Sequence, residues 1–211
     1  MIARLPRSLV AIAVLVFAAT LPVACTGLHV HRAEAPAPAP APAPAAMPTA
    51  TPSGVALRHP QPRLYTAGQP AAGDWAAIAG GGVGTVIDLR APGERKDRDE
   101  RAEVEAAGLR YVALPVAGHE GVTEDNAKAL ADLIAAAQGP VLVHCASGNR
   151  AGGLLALALA AQGVPVAQAL ETGRAAGMTS TETQVRQVLD AQAKAACAAE
   201  GRDAAACGAG G

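Results

Sequence analysis

The 211-residue sequence is short of net charge. Its 17 Lys and Arg residues stand against 18 Asp and Glu, a formal balance of −1. A near-neutral chain gives no reason to invoke nucleic acid or a polybasic membrane surface as a partner. Aromatic residues are scarce too, at 2%, although 51% of the chain is hydrophobic, so alanine supplies much of the apolar count. No group of His, Cys and carboxylate residues has metal-site spacing, and His29, His31 and His59 lie in or beside a linker. The reading therefore includes no metal and no cofactor. Nor is there an internal repeat, apart from an Ala-Pro alternation at residues 35–46. The length still suffices for one domain with a core.

What is present centres on Gly139-Pro-Val-Leu-Val-His-Cys-Ala-Ser-Gly-Asn-Arg-Ala-Gly-Gly153. Residues 140–143 are apolar and β-branched after a Gly-Pro break, the pattern of a buried strand. Residues 151–161 are strong helix formers with no breaker before Gly163, so a buried helix is expected. Cys145 and Arg150 fall between them, in a loop with Ala146, Ser147, Gly148 and Asn149. A strand that runs through a loop into a helix leaves backbone N–H groups unpaired and pointing inward. With the positive end of the helix dipole they make an anion site. The same field favours the Cys145 thiolate, the reactive form, and Arg150 offers a planar fork for an oxyanion.

The flanking segments give the frame. The first 25 residues read as a targeting segment: Arg4 and Arg7 form a basic region, residues 8–20 an apolar one, and Leu21-Pro-Val-Ala-Cys25 the junction. Ala before Cys suggests a lipoprotein signal with Cys25 lipidated, although Leu21 stands four residues before it rather than three. Ordinary secretion and an uncleaved anchor are the alternatives. Each places the domain outside the cytoplasm, either periplasmic or attached to a membrane through its N-terminus. Residues 26–56 are an Ala/Pro-rich linker, extended because Pro fixes φ and removes donors. The domain covers residues 57–196, and an Ala/Gly-rich tail with Cys207 follows from Cys197 to residue 211. A short strand followed by a turn is expected at 64–70, and strands at 83–89, 109–116 and 140–143. Helices are expected at 74–79, 99–107, 123–137, 151–161, 166–176 and 182–196, with Thr123 capping the third. Alternating strands and helices imply an α/β fold, a single three-layer domain whose mostly parallel central sheet is flanked by helices. Ligands bind beyond the carboxyl ends of such strands, where Cys145 lies.

The loop resembles that of cysteine-dependent phosphatases, in which His-Cys opens a phosphate cradle closed by Arg. It also resembles that of rhodanese-type sulfurtransferases. Four residues separate Cys145 from Arg150, against five in the phosphatase signature, and Ala151 stands where that signature has Ser or Thr. In order along the chain come Tyr65-Thr-Ala-Gly-Gln-Pro70, Val86-Ile-Asp-Leu-Arg90 with Glu94, Leu114-Pro-Val116 and His144-Cys-Ala-Ser-Gly-Asn-Arg150. Over residues 57–195 this series resembles the phosphatase-like domain of the beta-lactamase hydrolase-like family, a branch of the dual-specificity phosphatase superfamily. The resemblance implies a protein tyrosine phosphatase-like fold and a phosphorylated substrate, small molecule or protein. Cys145 would be the nucleophile, with Arg150 and the amides of residues 146–150 as the anion holder.

Phosphatases of that superfamily carry an acid Asp on the loop after the strand matching 111–116. Here the loop is Ala117-Gly-His-Glu-Gly-Val122, so His119 and Glu120 are the candidate general acids. His144 is expected to set the Cys145 environment, and Asp88 and Arg90, with Glu94, to form a supporting ion-pair network. Three functions stay open: an exported cysteine-dependent phosphatase, a sulfurtransferase with a persulfide on Cys145, and a catalytically weak anion-binding module.

Overall fold

The computed structural model describes residues 47–95 and 98–201; the signal segment with Cys25, the linker before residue 47 and the tail from residue 202, with Cys207, lie outside the described residues, while residues 197–199, counted above with the tail, continue the last helix. Five strands form one sheet: β1 (Leu57–Gln61), β2 (Leu64–Ala67), β3 (Thr85–Asp88), β4 (Arg110–Ala113) and β5 (Val141–His144), in the order β1-β2-β5-β3-β4. The four from β2 to β4 are parallel. The edge strand β1 runs antiparallel to β2 through a turn at which Arg63 adopts φ 63°. Sequence reading misses β1 because Leu-Arg-His-Pro-Gln has neither apolar alternation nor β-branched residues. Pro60 is tolerable there because an edge strand needs hydrogen bonds on one side only. Residues 47–56, counted with the linker above, lie against the domain: Ser53 donates its backbone N–H and hydroxyl to Asp74, and Met47 packs on the core.

Helices cover both faces. Helices α1 (Trp75–Gly80) and α2 (Glu100–Ala106) lie on one side, and α3 (Glu124–Ala136), α4 (Asn149–Ala161), α5 (Val166–Ala175) and α6 (Glu182–Ala199) on the other. The period-2 alternation of the strands decides what each face receives. Val141 and Val143 of β5 and Ile87 of β3 join the α3–α6 core. Leu142 and Val86, in register with each other, join Trp75, Ile78 and Val104 on the α1/α2 side. By the same alternation His144 and Asp88, also in register, point to the α1/α2 side, whereas Cys145 belongs to the α4 core. Thr123 caps α3 as expected, accepting from Asn126 N at 3.3 Å.

Helix α4 is the spine. Residues 150 to 159 are all buried, which its Ala, Leu and Gly content allows. It meets α5 backbone to backbone: a Cβ on Gly152 would stand 2.3 Å from Met178 N and 2.5 Å from Gly173 O. Neither is the end of a flexible side chain, so neither can move aside cheaply. Gly152→Ala should therefore destabilise the domain by about 1–3 kcal/mol or more. Gly80→Ala, where an added Cβ meets nothing within 4 Å, should be neutral or slightly stabilising. Urea midpoints at unchanged m-value check the contrast, and equal midpoints for the two variants would contradict the packing described.

Candidate active site

The loop from Cys145 to Arg150 forms because β5 ends where the sequence turns small. Gly148 closes it in the left-handed region, at φ 88° and ψ −12°, and its carbonyl accepts the first hydrogen bond of α4, from Gly152 N at 3.0 Å. A side chain there would be strained and would meet the Ala67 carbonyl at 3.3 Å. The turn aims the Gly148 N–H at Cys145 Sγ, 3.1 Å away. Cys145 itself is buried and is the free cysteine of the described residues, Cys197 being in a disulfide. Ala146 and Ser147 are exposed at the mouth. Asn149 and Arg150, read from the sequence as loop, are the first residues of α4, so their amides lack partners within the helix.

Arg150 is held from two sides. Its Nη1 donates to Glu94 Oε1 at 2.7 Å and to the Val116 carbonyl at 2.6 Å, and its Nη2 donates to Glu94 Oε2 at 2.6 Å. A guanidinium has five N–H groups, so the Nε–H and one Nη2–H remain, the side fork suited to an oxyanion. Glu94, and after it the Cys145 sulfur, hold the guanidinium above its ordinary pKa against the effect of burial. Arg150 in turn holds the Glu94 carboxyl below its ordinary value. Glu94, expected beside Asp88 and Arg90, instead orients Arg150. The short 3₁₀ turn Pro92–Glu94 carries it away from the strand end and over the helix.

The supporting network recruits Glu100 in its place. Asp88 accepts from Arg90 N at 2.9 Å, Arg90 Nε at 3.0 Å, Arg90 Nη2 at 2.9 Å and the Tyr111 hydroxyl at 2.7 Å. Arg90 Nη2 also lies 2.7 Å from Glu100 Oε1, which is 3.0 Å from His144 Nε2. Both approaches to Glu100 Oε1 have ion-pair distance but not the direction of a hydrogen bond. All five side chains are buried. Burial acts to raise the Asp88 carboxyl, yet the Arg90 hydrogen bonds, His144 and Tyr111 leave it below its ordinary value. Burial and the Asp88 carboxylate push the Tyr111 phenol up to about 12, so it stays a donor through the alkaline range. Ligand atoms of Asp88, Glu100 and His144 lie within 4.8 Å of one another. The Arg90 guanidinium, hydrogen-bonded to Asp88 and ion-paired with Glu100, places a cation there. Glu100 and Tyr111 were missed because a carboxylate in a charged helix and a tyrosine in a strand look like surface and core.

The structure thus brings Cys145, Gly148 and Arg150 together, with His144, Asp88 and Arg90 behind them. The Asn149 side chain faces elsewhere: its Oδ1 accepts from Thr179 N, Thr181 N and Thr181 Oγ1, and its Nδ2 donates to Ser180 Oγ. His119 and Glu120 sit on an exposed turn. His119 borders a cleft of about 320 Å³ with Ser180, Thr183, Gln184 and Gln187.

Residues 56–162 match the family described as beta-lactamase hydrolase-like protein, phosphatase-like domain. A beta-lactamase hydrolase-like protein of Agrobacterium fabrum is 36% identical over 93 residues, which is 42% of this chain and 21% of the relative. The chain therefore spans about a fifth of that relative's length. Among solved structures, a cysteine-to-serine form of P. aeruginosa TpbA in complex with pTyr is 27% identical with TM-score 0.50, covering 62% of this chain and 83% of that one. Kinase associated phosphatase, with its catalytic site cysteine substituted by serine, reaches TM-score 0.56 at 15% identity over 70% of this chain and 97% of its own, which shows a shared fold.

Glu94→Gln tests the hold on Arg150. Losing one charged partner should weaken binding of inorganic phosphate, measured by calorimetry, by about tenfold. The pH dependence has a definite sign. Because the native carboxyl is depressed below its ordinary 4.5, the stability it contributes is present above that value and is lost as pH falls through the native one. Urea unfolding of wild type and variant should converge in that acid window. Equal phosphate affinity in the two proteins would show that Arg150 needs no partner.

Proposed function

Because the chain belongs to the phosphatase-like domain family of beta-lactamase hydrolase-like proteins and has the protein tyrosine phosphatase-like fold, we propose that it is an exported cysteine-dependent phosphatase. The observation that carries this reading is the convergence of the Gly148 N–H on Cys145 Sγ with an Arg150 fork pre-aimed by Glu94. The Cys145 thiolate attacks phosphorus. An S–P bond forms, the bond to the leaving oxygen breaks, and that oxygen takes a proton from His119 or Glu120. Loop amides and the free side of Arg150 bind the peripheral oxygens, whose charge is greatest in the transition state. Water then attacks the phosphocysteine, releasing inorganic phosphate and restoring the thiolate. The substrate is a phosphate monoester, an assignment supported by the pTyr complex of TpbA. The basic and apolar N-terminal segment supports export, and its Ala-Cys junction supports lipidation at Cys25, with ordinary secretion and an uncleaved anchor as the alternatives.

A second reading, sulfur transfer through a Cys145 persulfide, draws on the four-residue spacing and on the buried Ala151, which gives the sulfur no hydroxyl donor.

Parallel assays of aryl phosphate hydrolysis and thiosulfate-to-cyanide transfer separate the two. We expect vanadate-sensitive hydrolysis, lost on the order of a thousandfold or more in Cys145→Ser. Transfer without phosphate release would favour the persulfide carrier, and activity surviving Cys145→Ser would exclude both. Of Glu120→Gln and His119→Asn, the one that removes the acid should slow alkyl esters by about a hundredfold or more while largely sparing aryl phosphates.

A further inference from the structure

A cavity of about 540 Å³ opens beside the site, with Arg95, Arg98, Arg101 and the ring of Tyr111 in its walls. Arg98 is neutralised by Glu103 and also donates to the Pro70 carbonyl. The other two arginines are not. Arg95 donates to the Tyr111 hydroxyl at 3.0 Å and has no ion pair among the described residues. Arg101 lies over the Tyr111 ring, 4.7 Å from its centroid, and touches Glu105 at 3.4 Å with both side chains more than half exposed. Such a pair contributes little in water. The acidic residues of the wall are committed: Asp99 caps α2 by accepting from Ala102 N, and the buried Glu100 is paired with Arg90. Planar donors therefore face the cavity, and among its described arginines Arg95 lacks an ion pair, with the Asp99 carboxylate in the same wall.

The residues of the cavity wall connect to the Cys145–Arg150 loop through their neighbours. Pro92, in its wall, begins the turn whose last residue, Glu94, holds Arg150, and Arg95 is the next residue along. On the other side Arg98 reaches Pro70, and the adjacent Gln69 N donates to the Ala146 carbonyl at 3.3 Å.

We propose that this cavity is a second oxyanion site, taking a further phosphoryl or carboxylate group of a substrate whose reacting phosphoryl lies at Cys145 and Arg150. The substrate half of this statement rests on the phosphatase reading; the binding half does not. The preferred substrates are then polyanions rather than isolated monoesters.

Two measurements on the full chain test it. In the first, inorganic pyrophosphate is titrated calorimetrically into wild type and into the Arg95→Gln/Arg101→Gln double variant. Wild type should bind at two sites, and the variant should lose one of them or weaken it by about tenfold or more. Unchanged stoichiometry and affinity would overturn the proposal whether or not the protein is a phosphatase. In the second, a bisphosphorylated sugar, an acid-flanked phosphotyrosyl peptide and para-nitrophenyl phosphate are compared as substrates. The double variant should raise KM for the sugar or the peptide by about tenfold, identifying the source of the second anion, while kcat/KM for the aryl phosphate stays within about twofold. Arg95→Lys should recover part of the loss. Equal effects on all three substrates would overturn the subsite, and absence of any turnover would overturn the phosphatase reading alone.

Discussion

The pleat of β5 divides the site. Consecutive residues of a strand face opposite sides of the sheet, so His144 and Cys145 cannot share an environment. One side receives an imidazole among buried charges under α2. The other receives a thiol at the edge of an aliphatic core, under the start of α4. Each neighbour in register repeats the division, with Asp88 beside His144 and Ile87 beside Val143. Shifting the register of β5 by one residue would send the sulfur into the ionic layer and the imidazole into the leucines.

Around that division the charges settle by distance from water. Arg90 spends its guanidinium inside the protein, bridging Asp88 and Glu100. Arg150 spends only the outer part of its fork, on Glu94 and Val116. The two arginines are thus different devices. The first cements the strand ends beneath the loop, where a missing partner would leave a buried charge uncompensated. The second is a positioned donor whose orientation is fixed before any ligand arrives, which lowers the ordering cost of binding.

Much of this was legible in the sequence, and for identifiable reasons. Strand 141–144 and the helix after it were visible because apolar runs bounded by Gly-Pro and Gly163 allow few alternatives. The pairing of Cys145 with the Arg150 end of the loop was visible because chain adjacency alone brings them together. Long-range partners were not. Glu94 precedes Arg150 by 56 residues, and nothing in Ala-Pro-Gly-Glu reveals that a 3₁₀ turn brings it within reach of the first turn of α4. Glu100 looked like one more acid in a charged helix. Strand β1 was hidden because an edge strand can be written in polar residues and proline.

Asn149 has a consequence for how the pocket can adapt. Its amide fastens the start of α4 to the backbone of the 179–181 turn, so the Cys145–Arg150 loop and the connection between α5 and α6 are tied to each other. Residues 117–120 lie exposed on their turn, and His119 borders the cleft that Ser180 also lines. Any displacement of the start of α4 must therefore carry the 179–181 turn with it, as two parts joined by one rivet move together.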